Sequence, residues 1–549
     1  MDQLDRDEEL RWRLELLRVK LGEGKIKFAA HLADDVEKSL TAVRYGADGK
    51  IDLSTVDARV RSMSLAVAGL QHREDAKNAI SLQDIANTYF GAIEANFGEL
   101  AKDAEERGFN VNEAAHAISE TTDAVEEFTS KLPDFLGGLE DFWTGVAQSS
   151  DYHIQDINGL KAVYGGDLFP SYTRNIASAI GLYTDTIVLS DPFWNSRHIF
   201  QNASKEQQAY YLIKHALNVL RYKDLALAEV GKPIVVLAPF RSSVDKHEME
   251  FLQHATEIDA LKHASALFGR DFGSSEELWG FGDTLDTPQK VVDALATPDR
   301  LLFDTSWNGA LQEQIVRGLS SDWHDVGGDQ HPGHMVVGMC YGRMGQATDL
   351  LLKSRYLSGV PLIEAQTSWE YFNWKLEYNA AQKPDDLTSL HMVKGLQHAS
   401  ETDEDWLGHI PPAALIEMRQ QGAFEEIREV LSKGVNEIAV AKPDGYFRSS
   451  DQIVDNIRNA FDAHTKEIAD LRAKGVRFAG HDLGSMIIAG GIDIASIITG
   501  TPTFGAASFA VNQLIDVPKL REIPERFREL KNAHRELKKS PMGMLFKHK

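Results

Sequence analysis

Three groups of side chains in this chain have the types and spacing to do chemistry. The first follows short apolar runs. Asp191 comes after Thr186-Ile187-Val188-Leu189-Ser190, Asp304 comes after Leu301-Leu302-Phe303, and Arg241 and Asp245 lie just past Ile234-Val235-Val236-Leu237. If these runs are parallel strands, their carboxyl ends are where an open α/β sheet takes its ligand. Two or three converging carboxylates there can hold a divalent metal for hydrolysis or phosphoryl transfer. The competing reading is local, because Asp-Pro and Asp-Thr-Ser are ordinary turn and helix-cap sequences.

The second group is His247, Glu250, His254 and Glu257. On a helix these four fall within an arc of about 80°. His and Glu on one helical face can ligate zinc, iron or manganese. Phe251 stands where a His-Glu-x-x-His motif needs its second His, so the zincin pattern is absent. A solvated helix face is the favoured reading of the stripe. The third group is the loop His324-Asp325-Val326-Gly327-Gly328-Asp329-Gln330-His331-Pro332-Gly333-His334. His324, Asp329, His331 and His334 make it a candidate metal loop, although it also reads as a polar connection ahead of a helix.

Other motifs fail on spacing. Asp48-Gly49-Lys50-Ile51-Asp52 resembles the middle of a calcium-binding loop, but Arg44, Gly46 and Thr55 occupy its first, third and twelfth ligand positions. It is read as a turn between helices. No phosphate loop, dinucleotide fingerprint or Gly-x-Ser-x-Gly elbow is present. Cys340 is the only cysteine, which rules out an intrachain disulfide and fits a reducing cytosol. It lies in an apolar helical stretch and reads as inert core.

The elements that must position these groups change character along the chain. Residues 1–150 read as a helical array: after the break at Gly22 and Gly24, apolar residues recur at helical spacing from Ile26 to Val43. Ser54 is a candidate N-cap for the next helix, and further helices are expected over 81–107, 110–131 and 133–148. Residues 151–475 mix short apolar runs with helices. Strands are expected at 186–189, 234–237, 301–303 and 437–440, with a crossover helix over 205–229. Gly338, Gly342 and Gly345 within one helix suggest close packing against a neighbour. Trp369, Tyr371, Phe372 and Trp374 read as core.

The last part differs again. Between Ser485 and Ile515 the one charge is Asp493, and Thr499-Gly500-Thr501-Pro502-Thr503 splits the segment into two arms. Each arm is shorter than the roughly 20 residues that span a bilayer, so 476–515 is expected to form an apolar helical hairpin. The tail, 516–549, carries ten Lys or Arg against five Asp or Glu and reads as a basic amphipathic helix. Either the hairpin is buried and the basic helix docks on the acidic body, which is the favoured reading, or 484–549 makes peripheral contact with a membrane.

The chain as a whole carries a net charge of −24, which argues against general nucleic-acid binding. A hydrophobic content of 43% and a charged content of 26% are those of a folded protein. The N-terminus is charged throughout, so no secretory signal is expected. The expected fold is mainly α with a small α/β centre holding a short parallel or mixed sheet. Two functions follow. One is a non-enzymatic cytoplasmic effector acting through a protein partner, of toxin-like or phage-defence type by analogy. The other is a metal-dependent hydrolase or nuclease using the strand-end acids or a His cluster.

Overall fold

The computed structural model describes residues 3–26, 30–239, 246–320, 331–378, 386–473, 477–478, 481–482, 532–533 and 535–549. They form a mainly α protein with a small parallel sheet in its middle, the expected fold class. The contacts divide the chain into two units, residues 1–88 with 141–156, and residues 89–140 with 157–549.

The first unit is built on two packed helices, Gln3–Gly22 and Ala58–Ala79. Leu14 and Leu17 of one meet Val60 of the other, with Ile51 and Val56 closing the cluster. Asp57, rather than Ser54, caps the second helix: its carboxylate accepts from the Val60 N–H at 2.9 Å. Residues 45–51 form a tight turn. Gly46 N–H donates to the Lys50 carbonyl at 2.8 Å, and Gly49 takes a left-handed φ of +74°. The Asp48 carboxylate accepts from the Lys50 N–H at 3.1 Å, as in an Asx turn.

The second unit holds the sheet: β1 (Lys161–Tyr164), β2 (Thr186–Leu189), β3 (Val235–Leu237) and β4 (Gly359–Leu362). The order is β3-β2-β1-β4 and every pairing is parallel. Nearly every strand residue is buried, as expected of a parallel sheet covered by helices. The chain winds outward from β1 through β2 to β3, then returns to place β4 on the other side of β1. The crevice between β1 and β4 is therefore the topological switch point.

Two of the four expected strands exist, at 186–189 and 234–237. The Leu301–Phe303 run is irregular. Its backbone is satisfied by a side chain instead of a ladder: the Tyr371 hydroxyl accepts from Leu302 N–H at 3.2 Å and donates to Leu302 O at 3.1 Å. Residues 437–440 lie inside the Val435–Ala441 helix, where Val435 and Ala439 are buried one turn apart. Strands β1 and β4 were not expected. β1 opens on the buried Lys161, whose ammonium donates to the Ile157 carbonyl at 2.9 Å. β4 contains Gly359 and Pro361, which read as punctuation, but an edge strand tolerates proline. Pro133 does not break its helix either, for one helix runs from Thr122 to Asp156. Of Gly338, Gly342 and Gly345, only Gly345 meets a close neighbour, Thr256 of the Lys246–Phe268 helix, while Gly333 in the first turn of the same helix packs against the Gly282 backbone.

The apolar segment 485–515 and most of the basic tail lie outside the described residues. The chain end is described. The Pro541–Phe546 helix packs Phe546 against Phe461, ring centroids 5.1 Å apart, and Lys549 pairs with Glu404 at 3.5 Å. Among the described residues no helix is long and apolar enough to cross a membrane.

Candidate functional site

The exit from β1 is shaped by two glycines. A side chain at Gly165 would stand 2.8 Å from Leu350, and one at Gly166 would stand 2.9 Å from Ser368. Gly166 also takes a φ of +82°, which L residues rarely adopt, and its carbonyl accepts the Ser368 hydroxyl at 2.6 Å. The backbone can thus pass tightly between two helices and deliver Asp167 to the space beyond. β2 is followed by Ser190, which donates to Asn195 at 3.2 Å. β4 leads into the Gln366–Tyr378 helix through Ala365.

These three strand ends surround a cavity of about 1150 Å³. The Pro332–Tyr356 helix forms one wall, presenting Arg343, Gln346, Asp349, Leu350 and Lys353. Those positions share an arc of about 120° on the helix. Arg197 also lines the cavity; its guanidinium lies 3.8 Å over the Trp194 ring and donates to the Trp194 carbonyl at 3.1 Å. Arg197 is also 3.8 Å from Glu140. Asp167, Asp304 and His198 complete the ionisable lining.

The recess alters the acid–base balance of these groups. Asp167 opens into the cavity, yet the protein crowded around it pushes its carboxyl above the ordinary range, against the opposing pull of Lys214 and Arg343. Burial lowers the Lys353 ammonium, while its ion-pair partner Asp349 opposes that shift. Just after β4, burial raises Glu364 to about 7, helped by Asp167 and Glu401, although Ser171 N–H donates to its carboxylate at 2.7 Å. Arg343 donates to the Phe303 carbonyl at 3.1 Å, which orients its guanidinium. Such a wall can bind an anionic group at Arg343. The Asp167 carboxylate can accept a hydrogen bond from a hydroxyl or amine.

The residues singled out in the sequence are placed as follows. Asp191 is fully buried and caps the Pro192–Asn195 turn of helix, accepting from Phe193 N–H at 2.8 Å and Trp194 N–H at 3.3 Å. The Tyr89 phenol lies against it. Asp304 lines the cavity at its exposed rim, where it accepts from Ser306 N–H at 2.7 Å. Of the two strand-end acids, Asp304 thus lines the cavity, though the run before it is not a strand, and Asp191 is committed to a cap. Arg241, Asp245, His324 and Asp329 lie outside the described residues, as does the His247 side chain.

Glu250 and His254 are exposed on the Lys246–Phe268 helix, while Asp259, Ala260 and His263 form its buried side. His331 accepts from the His334 N–H at 3.4 Å, and His334 pairs with Asp283 at 2.6 Å. Among the described residues no group of three or more His, Cys, Asp or Glu could hold a metal ion. Cys340 is buried and its thiol is pushed up to about 12, as expected of inert core.

Asp167, Arg343, Lys353 and Glu364 were not singled out in the sequence. The available signals were the Gly-Gly step before Asp167 and a polar stripe on a helix whose other positions are largely apolar. A buried Ser196–His215 pair, 2.8 Å apart, also escaped notice. It has the atoms of a nucleophile and base, but both residues are sealed among Phe193, Phe200 and Tyr211, and burial lowers the imidazole to about 3. It is a structural contact. Comparison with family models, curated proteins and solved structures finds no match for this chain.

Proposed function

We propose that this chain binds a charged, polar small molecule in the crevice between β1 and β4. The observation that carries this reading is the cavity of about 1150 Å³ at the switch point of the sheet, walled by ionisable side chains from separate elements. Arg343 takes the anionic end of the ligand. Asp167 takes a hydroxyl or amine. The test is a thermal-shift screen with nucleotides, sugar phosphates, amino acids and 2-oxo acids, followed by titration of any stabilising compound. Arg343→Gln and Asp167→Ala are each expected to weaken that ligand by about 10- to 100-fold, the worth of a charge-assisted hydrogen bond. Unchanged affinity in both variants would place the ligand elsewhere.

A second reading, an effector that reaches a partner or a membrane through residues 484–531, is supported by the anchorage of the chain end beyond them. Phe546 and Lys549 hold that end to the body through Phe461, Trp406 and Glu404. Phe546→Ala is expected to speed tryptic cleavage within 535–549 by on the order of 100-fold, read by mass mapping, because a buried Phe is worth about 3 kcal/mol or more. Deleting 484–531 while keeping that anchor, then comparing liposome flotation with the full chain, separates membrane contact from a purely internal role. The metal-dependent hydrolase reading keeps Asp304 at the cavity, while Asp191 is committed to a helix cap and Arg241, Asp245, His324 and Asp329 lie outside the described residues; metal analysis of untagged protein tests it.

A further inference from the structure

Among the described residues Lys353 is the one lysine lining the cavity. It is mostly enclosed, with 17% of its side chain exposed, and it pairs with Asp349 one helical turn away. The same helix face carries Arg343 ten residues earlier, about 15 Å along the axis. An amine, a carboxylate beside it and a guanidinium farther along one wall form an ordered set. We infer that Lys353 is a nucleophile that forms an imine with a carbonyl compound bearing an anionic group, such as a sugar phosphate or a long 2-oxo acid. This rests on the cavity being a ligand site.

The step balances without any added reagent. Asp349 accepts one proton from the Lys353 ammonium. The free Nζ lone pair adds to the carbonyl carbon, and the C=O π electrons move onto oxygen. Proton transfer from nitrogen and from Asp349 to that oxygen lets it leave as water. The product is a protonated imine, so ammonium plus carbonyl gives iminium plus water with charge conserved. Burial supports this role, because it lowers the ammonium below its ordinary range and raises the share of free amine near neutral pH. The wide cavity leaves room for a ligand that reaches from Lys353 toward Arg343.

The probe is pyridoxal 5′-phosphate, an aldehyde carrying a phosphate, added to the full chain and trapped with borohydride. Reduction leaves a stable secondary amine that peptide mass mapping locates. Lys353 is expected to be labelled about tenfold faster, or more, than the exposed Lys131, the worth of one charge-assisted contact between the probe's phosphate and Arg343. Lys353→Arg should abolish the adduct, and Arg343→Gln should slow it. Lys394 is an internal control: burial lowers it to about 8, but it lies over Trp369 at 4.7 Å and not in the cavity wall. Preferential labelling of Lys394, or labelling of Lys353 no faster than Lys131, overturns the inference. The wild-type label map decides this even if a variant misfolds. A ligand that shifts the melting temperature through Arg343 and Asp167 but leaves no adduct refutes the imine and spares the binding site. No ligand at all refutes both.

Discussion

Replacing Asp185 with alanine is expected to cost the second unit about 3 kcal/mol, seen as a lower urea midpoint by tryptophan fluorescence. Asp185 stands at the amino end of β2 and its side chain is 4% exposed. Its carboxylate accepts from Lys232 at 2.6 Å, from the Leu160 N–H at 2.8 Å and from Arg428 at 3.2 Å. These bonds join β2 to the start of β1, to the approach to β3, and to the Phe424–Ser432 helix. Arg419 adds to the junction by donating to the Gly181 carbonyl at 3.0 Å and the Asp185 carbonyl at 3.3 Å. Gly159 serves the same arrangement, for its φ is +115° and a side chain there would run into the Asp185 carboxylate.

Burial works against the charge of Asp185, but Lys232, Leu160 and Arg428 outweigh it and hold the carboxyl below its ordinary range. The folded group therefore titrates below its unfolded counterpart, near 3.9. Its stabilisation is complete above that pH and is lost as acid protonates the folded form. Asp185→Asn should accordingly differ most from wild type near neutral pH, and the two should converge below about pH 4. A gap that persists unchanged into acid would mean that shape rather than charge is what Asp185 contributes.

That junction was invisible in the sequence for the same reason that half of the sheet was. β2 and β3 show themselves as uninterrupted β-branched runs ended by Ser-Asp-Pro and Ala-Pro. β1 hides behind Lys161, which reads as solvent-facing until the Ile157 carbonyl is seen to receive it. β4 hides behind Gly359 and Pro361. With β1 and β4 unrecognised, Asp167 and Glu364 had no strands to follow. Ser190 and Asp304, which the expected strand ends included, both line the cavity, although only Ser190 follows a strand. What periodicity cannot report is which strands are neighbours. The switch point depends on that, because β1 and β4 meet across nearly 200 residues of intervening chain. The Glu437–Val440 run shows the converse error: Ile438-Ala439-Val440 suits a strand, but Gly434 at φ +80° starts a new helix there.

The largest cost of a single change is expected at a second buried charge, and its partner tells why. Asp259→Ala should lose about 3–5 kcal/mol, because it strands the Lys375 ammonium in the interior. Lys375 and Asp259 are 2% and 3% exposed, and they pair between the Lys246–Phe268 and Gln366–Tyr378 helices, where Thr348 also donates to the Asp259 carboxylate at 2.8 Å. Burial lowers the Lys375 ammonium even though Asp259 pulls it the other way. Desolvation thus outweighs attraction, and the pair adds little net stability while remaining costly to break. The sign of the pH effect follows. A lysine whose folded form titrates below its unfolded form carries a penalty at lower pH that lifts as pH rises toward the ordinary lysine range. The combined variant Asp259→Leu, Thr348→Val, Lys375→Met should therefore equal or exceed wild type in urea midpoint near pH 7, and its advantage should shrink at higher pH. If the triple variant is as unstable as Asp259→Ala, the ion pair is a net source of stability and the reading of burial as the dominant force at Lys375 is wrong.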